Sequence, residues 1–209
     1  WDDDKTFLYL QMWNEFSGFG KPAQLVAFDE SGDVRAMYPT SADQFFTGPS
    51  AGVATSVESR IDFQSDKTSQ PTILTWLRSG GPSRTARRVD IERSDSVRFS
   101  NGDIRLAGTL IRPSSGAKHP AIILVHGSGA ENREYVLPFA RFLIRHGVAV
   151  LGYDKRGVGQ STGDWNTASY AELAGDVATA FEYLKTRPDV DAAHIGLLGV
   201  SQAGWIMQM

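Results

Sequence analysis

Ile195-Gly-Leu-Leu-Gly199-Val-Ser201-Gln-Ala203-Gly204-Trp-Ile-Met207 is the stretch that decides how this chain is read. Residues 195–198 form a short apolar run, as a strand buried on both faces requires. Residues 205–207 open an apolar helix, and small residues at 199, 203 and 204 flank the serine between them. A strand that turns directly into a helix holds its turn residue in a strained conformation and presents that side chain above the sheet. Small neighbours are needed because the two backbones nearly touch. The helix N-terminus lends partial positive charge to an anion forming beside the hydroxyl. Gly-x-Ser-x-small alone is a weak pattern that also fits a tight turn with a hydroxyl cap. Set between a buried strand and a helix, it makes Ser201 the expected nucleophile.

Upstream, strands and helices alternate. Residues 121–125 are a continuous apolar, β-branched run. A glycine-rich turn follows, then a helix expected to start at Pro138, to bury Phe139, Phe142 and Leu143, and to end at Gly147. Residues 148–151 are a second buried strand. Ser169-Tyr-Ala-Glu172 is a capping box that opens another helix, with Leu173, Val177, Phe181 and Leu184 at helical spacing and Pro188 closing it. Before all of these, residues 96–99 and 104–111 flank Asn101-Gly102 as a hairpin. A β-α-β-α-β order predicts an α/β fold with a mostly parallel sheet and helices on both faces.

Residues 1–90 read as β throughout. Residues 6–13, 24–28, 34–38 and 72–77 have strand character, and Ile61 and Phe63 alternate with polar neighbours. A turn containing Gly32 separates the second and third, and residues 65–71 are turn-rich. The expectation is a small antiparallel β domain over 1–90 and an α/β core over 91–209, joined by a Gly- and Pro-rich linker at 79–83.

With 209 residues, a net charge of −3 and no cysteine, the chain lacks the basic field that nucleic acid or an anionic membrane would need. The cluster Arg84, Arg87 and Arg88 reads as part of a solvated linker. Disulfides, thiolate metal sites and a cysteine nucleophile are excluded, and no metal or organic cofactor is implied. No run approaches the roughly 18 apolar residues of a membrane helix. The chain opens on Trp1, so its location stays open: cytoplasmic, or periplasmic or secreted if a leader was removed.

Two further motifs complete the set. His126-Gly-Ser-Gly129 ends the first buried strand, and Tyr153-Asp-Lys-Arg-Gly157 opens a loop in which Asp154 and Arg156 are expected to act as structural hydrogen-bonding residues. Val125-His-Gly-Ser-Gly129, Tyr153-Asp-Lys-Arg-Gly157 and Gly199-Val-Ser-Gln-Ala-Gly204 together resemble, in order and spacing, the α/β-hydrolase superfamily. The branch they resemble is that of bacterial esterases related to acylaminoacyl and prolyl peptidases, and the likeness covers about residues 96–209. Met37-Tyr-Pro-Thr-Ser41 followed by Phe45-Phe46 resembles the lipocalin-like β domains that accompany some bacterial hydrolases; a packing domain without a ligand is expected there.

The resemblance implies acyl transfer by a Ser–Asp/Glu–His triad on a small-molecule ester, an EC 3.1.1 activity. It implies backbone N–H donors for an oxyanion at Ser128 (or Gly127) and at Gln202, with His126 a structural residue of its loop. The acid and the histidine follow the serine in this fold. Eight residues follow Ser201 and none is Asp, Glu or His, while histidines 119, 126, 146 and 194 all precede it. The expectation is therefore a longer native protein, with the triad completed by further C-terminal sequence or by a second chain; a homo-oligomer is a further alternative. The portion to Met209 alone is expected to be inactive. Alternatives are an acylaminoacyl- or prolyl-type peptidase and a non-catalytic hydrolase-fold binding protein. A dinucleotide-binding unit fits less well: position 132 is Asn where a third glycine would stand, and Ser201 is left unexplained.

Overall fold

The computed structural model describes residues 1–3, 6–13, 23–29, 31, 33–48, 55–65, 71–136 and 139–209. Gly32 and Pro138, expected at a turn and a helix start, lie outside the described residues, as do residues 66–70 of the turn-rich stretch. The chain divides into two compact units, Trp1–Val89 and Asp90–Met209.

The first unit holds two antiparallel sheets. One runs β1 (Leu8–Trp13), β2 (Gln24–Asp29) and β3 (Val34–Ala36). The other runs β4 (Tyr38–Pro39), β5 (Gln44–Thr47), β6 (Ser59–Ser65), β7 (Pro71–Arg78) and β8 (Ser83–Arg87). Period-two alternation sends Ile61, Leu74 and Trp76 inward, where they pack with Ala27 and Met37. The expected linker at 79–83 is instead the β7–β8 turn, closed by the Gly81 N–H donating to the Arg78 carbonyl at 3.1 Å. Glycine and proline mark a tight turn as readily as a linker. The arginine cluster is corrected with it, since Arg84 lies on β8 and forms a two-bond pair with Asp3 at 2.8 and 2.9 Å.

The second unit is built on one five-stranded sheet, ordered β13-β11-β12-β10-β9. Its strands are β9 (Glu92–Asn101), β10 (Ile104–Pro113), β11 (His119–Val125), β12 (Ala149–Tyr153) and β13 (Val190–Gly199). The sheet is mixed rather than mostly parallel. β11 runs parallel to β12 and to β13, but β10 is antiparallel to both β9 and β12. The reason is that the Asn101-Gly102 hairpin joins the same sheet through β10, which sequence order alone did not reveal.

Helices cover both faces of this sheet. α1 (Arg133–Val136) and α2 (Ala140–Arg145) follow β11, α3 (Tyr170–Lys185) follows β12, and α4 (Ala203–Ile206) follows β13. On one face Ala140 and Ile144 of α2 pack with Ile111, Leu124 and Val150. On the other, Leu173, Val177, Ala180 and Leu184 of α3 pack with Val97, Ile123 and Leu151, and Phe181 is packed against them. Adjacent strand residues 123 and 124, or 150 and 151, serve opposite faces, which is why those strands are apolar without alternation.

The Ser169–Glu172 capping box is present: the Ser169 side chain accepts from the Glu172 N–H and the Glu172 side chain accepts from the Ser169 N–H. Of the residues expected on the buried face of α2, Leu143 packs against the core but the two phenylalanines do not. Phe139 and Phe142 are 43% and 47% exposed, because the sheet meets positions 140 and 144. Phe142 packs on His146 instead, in a tilted pair with 4.5 Å between ring centroids. Gly147 ends the helix in the left-handed region, at φ 82°.

Candidate active site

The carboxyl end of β11, the loop after β12 and the β13–α4 turn bring the three motifs together. Ser201 adopts φ 57°, and among the described residues it is the only non-glycine with positive φ. For a side chain with a Cβ this conformation costs roughly 1–2 kcal/mol and survives only where the surroundings impose it. Close packing imposes it here. A Cβ on Gly199 would sit 2.4 Å from the Ala203 Cβ and 2.7 Å from the Val125 carbonyl oxygen, so strand and helix touch through a residue that has no side chain. Ala203 is fully buried in that contact. The small side chain at position 203 is thus what the contact admits, while Gly204 faces open space. Ser201 itself is exposed, and its Oγ has no hydrogen-bond partner among the described residues.

The two expected oxyanion residues on the loop after β11 behave differently. The Gly127 N–H donates to Glu131 Oε2 at 2.8 Å and is already committed. The N–H groups of Ser128 and Gln202 have no acceptor among the described residues. His126 is buried; its Nε2 is bonded to the Tyr153 carbonyl oxygen, and Nδ1 faces Glu131 Oε2 at 3.5 Å. It therefore anchors the loop, and its polar partners are Tyr153 and Glu131 rather than Ser201. The remaining histidines are local as well: His119 is buried at the start of β11, His146 Nδ1 bonds the Phe142 carbonyl at 2.8 Å, and His194 pairs with Asp191 at 2.7 Å.

Below this loop lies a polar framework. Asp154 accepts two bonds from the Arg133 guanidinium, at 2.9 and 2.7 Å, and one from the Gln160 N–H at 2.9 Å. Burial alone would raise its carboxyl, but these bonds outweigh burial and hold it below the usual carboxylate range. Arg156 forms a two-bond pair with Asp176 of α3, both bonds at 2.7 Å and both residues buried, and Asn101 donates to the same carboxylate at 2.8 Å. Lys155 is 2% exposed, and its ammonium donates to the carbonyls of Gly127 (2.8 Å) and Gly129 (3.2 Å) and to Gln202 Oε1 (2.9 Å). Burial draws the ammonium below its ordinary value, and the nearby Glu131 charge works against that shift.

Sequence reading singled out Asp154 and Arg156 but missed their partners Arg133 and Asp176. One signal was available for the latter: an acid at position 176 falls within the apolar stripe 173, 177, 180 and 184, where a buried carboxylate needs a cation. Glu131 and Lys155 carried no signal, since a charged loop residue is solvated in most proteins.

A mixed sheet with helices on both faces and a strained serine at a strand–helix turn place the second unit in the α/β-hydrolase superfamily. Residues 116–208 match the family model described as "Serine aminopeptidase, S33". An uncharacterised Mycobacterium tuberculosis protein is 33% identical over 133 residues, covering 64% of this chain and 46% of that one. A thiohydrolase from Aspergillus aculeatus, aneE, is 33% identical over 90 residues, covering 42% of this chain and 28% of its own. Among solved structures, the α/β hydrolase GrgF from a Penicillium species is 30% identical with a TM-score of 0.47, covering 52% of this chain and 37% of that one. The chain spans less than half the length of these relatives.

Proposed function

We propose that Ser201 is the nucleophile of a serine hydrolase that cleaves carboxylic esters through an acyl-enzyme. The observation that carries this reading is the strained, exposed Ser201 at φ 57°, above the contact between Gly199 and Ala203. Its Oγ attacks the ester carbonyl as a histidine takes its proton, and the carbonyl electron pair moves onto oxygen. The Ser128 and Gln202 N–H groups stabilise that oxyanion, and Gly127 drops out of the donor pair because Glu131 engages it. Collapse expels the alcohol with the proton from histidine, and water repeats the sequence to release the acid.

The histidine and the triad acid come from polypeptide outside residues 1–209, in the same chain or in a second one. In support, β13 is an edge strand that pairs only with β11 among the described residues, and Leu197 and Leu198 on it are 38% and 41% exposed. An open apolar edge of this kind favours a further strand. Amide cleavage uses the same machinery, and the matched aminopeptidase family model supports a peptidase as the second reading.

The test is reaction of the full-length protein with a fluorophosphonate probe, read by intact mass and peptide mapping, followed by turnover of matched ester and amide substrates. One adduct on Ser201 and its loss in Ser201→Ala are expected. An adduct elsewhere, or ester turnover that survives Ser201→Ala, rejects the assignment. Amide turnover exceeding ester turnover selects the peptidase.

A further inference from the structure

We infer that Lys155 is the positioning residue that aims the oxyanion donors; this rests on the serine-hydrolase reading above. Its ammonium has three hydrogens, and all three are engaged. Two go to the carbonyls of Gly127 and Gly129 on the loop after β11, and the third goes to Gln202 Oε1 beside the nucleophile. A single buried cation therefore ties together the two segments that supply N–H donors.

The geometry of the peptide unit makes this tie directional. The Gly127 carbonyl and the Ser128 N–H belong to one planar, trans peptide, so they point in opposite directions. Gripping the carbonyl at 2.8 Å from one side turns the Ser128 N–H toward the other. The bond to Gln202 does the corresponding work at the elbow, where the Gln202 side chain is held while its backbone N–H stays open.

Neighbouring groups keep Lys155 in place. The Trp165 ring covers the ammonium at 5.0 Å from its centroid. The Lys155 N–H itself donates to the Glu131 carbonyl at 3.2 Å, and the Glu131 side chain holds the Gly127 N–H. The Gly127–Ser128 segment is thus gripped on its N–H by an acid and on its carbonyl by a cation. The Ser128 N–H is the group left to meet substrate.

The experiment measures kcat and KM for an ester in the full-length wild type, Lys155→Met, Gln202→Leu and the double variant. Loss of one aimed donor costs on the order of 10²-fold in kcat, and that loss is expected for Lys155→Met with KM changed less than about 3-fold. Gln202→Leu keeps its backbone N–H and loses only the tether; a fall of about 10-fold is expected. Because both act through one ammonium, the double variant should be no slower than Lys155→Met alone. A folded Lys155→Met with kcat within about 3-fold of wild type overturns the inference, as do losses that multiply in the double variant. Should Lys155→Met fail to fold, Gln202→Leu decides: kcat within about 2-fold of wild type overturns the tether. A wild type with no turnover and no Ser201 adduct is a different result, since it removes the serine-hydrolase reading and the role of Lys155 with it.

Discussion

Gly199→Ala adds one methyl group where strand and helix meet. In a strand, alanine would otherwise gain roughly 0.5–1 kcal/mol over glycine by restricting the unfolded chain. Here the new Cβ would lie 2.4 Å from the Ala203 Cβ and 2.7 Å from the Val125 oxygen, far inside contact distance. Neither neighbour has a rotamer through which to retreat. The Val125 oxygen belongs to the β11–β13 ladder, in which Val125 is registered with Gly199. Overpacking costs about 1–3 kcal/mol, and two rigid contacts put this case in the upper part of that range, so a net loss of about 2 kcal/mol is expected. For a unit of this size that corresponds to a fall in Tm of roughly 8 °C. Relief requires α4 to move off β13, which displaces Ser201, and a shift of about 1 Å costs on the order of 10²-fold in reactivity. Gly204→Ala is the matched control: nothing lies within 4 Å of its Cβ position, so it should be neutral or slightly stabilising. Urea denaturation gives the stability difference, and the rate of fluorophosphonate labelling gives the reactivity. A Gly199→Ala protein within about 0.5 kcal/mol of wild type, labelled at the wild-type rate, would refute the close-contact account of the elbow.

Strain at Ser201 predicts that Ser201→Gly is more stable than Ser201→Ala by about 1 kcal/mol, because only glycine adopts φ 57° without cost; equal urea midpoints would contradict this. Asp176→Asn removes the buried counter-ion of Arg156 and leaves it only the more exposed Glu172 carboxylate at 3.6 Å, which should cost about 3 kcal/mol. A loss below about 1 kcal/mol in denaturation would show that water reaches the pair. The Asp154 carboxyl lies below its ordinary value of 3.8 in the folded protein. Its contribution to stability is therefore complete above about pH 4 and is lost as pH falls through the depressed value. Asp154→Asn should flatten that acid limb; a pH–stability curve with the same acid slope in both proteins would rule the contribution out.

The parts of this molecule that could be read from sequence are those set by local rules. Ser169 and Glu172 announce a capping box because the partners are three residues apart. Asn101-Gly102 announces a hairpin because a turn with positive φ needs such residues, and Gly102 has φ 57°. Gly199, Ser201 and Ala203 announce an elbow because strand, turn and helix are consecutive. What failed depended on distant partners. The sheet was expected to be mostly parallel because nothing in residues 104–111 says that the hairpin joins β12. Phe139 and Phe142 were expected inside because apolar residues normally face a core, yet the sheet is met by Ala140 and Ile144. Glycine and proline at 79–83 suited a linker and a turn equally well. Lys155 and Glu131 gave no sign at all, since their partners lie at Gly127, Gly129 and Gln202, brought close only by folding.

The site divides along the same line between preparation and proton transfer. On the proposed reading, the described groups around the oxyanion lie within the second unit: the strained Ser201, the contact at Gly199, the commitment of Gly127 to Glu131, and the grip of Lys155 on two carbonyls and a side chain. None of these contacts involves a histidine near the serine, and each follows from packing of β11, β12, β13 and α4. Oxyanion stabilisation and substrate binding alone sustain about 10³–10⁴-fold acceleration in enzymes stripped of their triad. Preorganisation of this kind does not wait on the base that would activate Ser201. The geometry of the two N–H donors should accordingly be the same with and without a histidine at the site, and substitution of that histidine should lower kcat while leaving the Ser128 and Gln202 amide environments unchanged by NMR. Shifts at those two amides on loss of the histidine would mean that the base, rather than Lys155, sets the donor geometry.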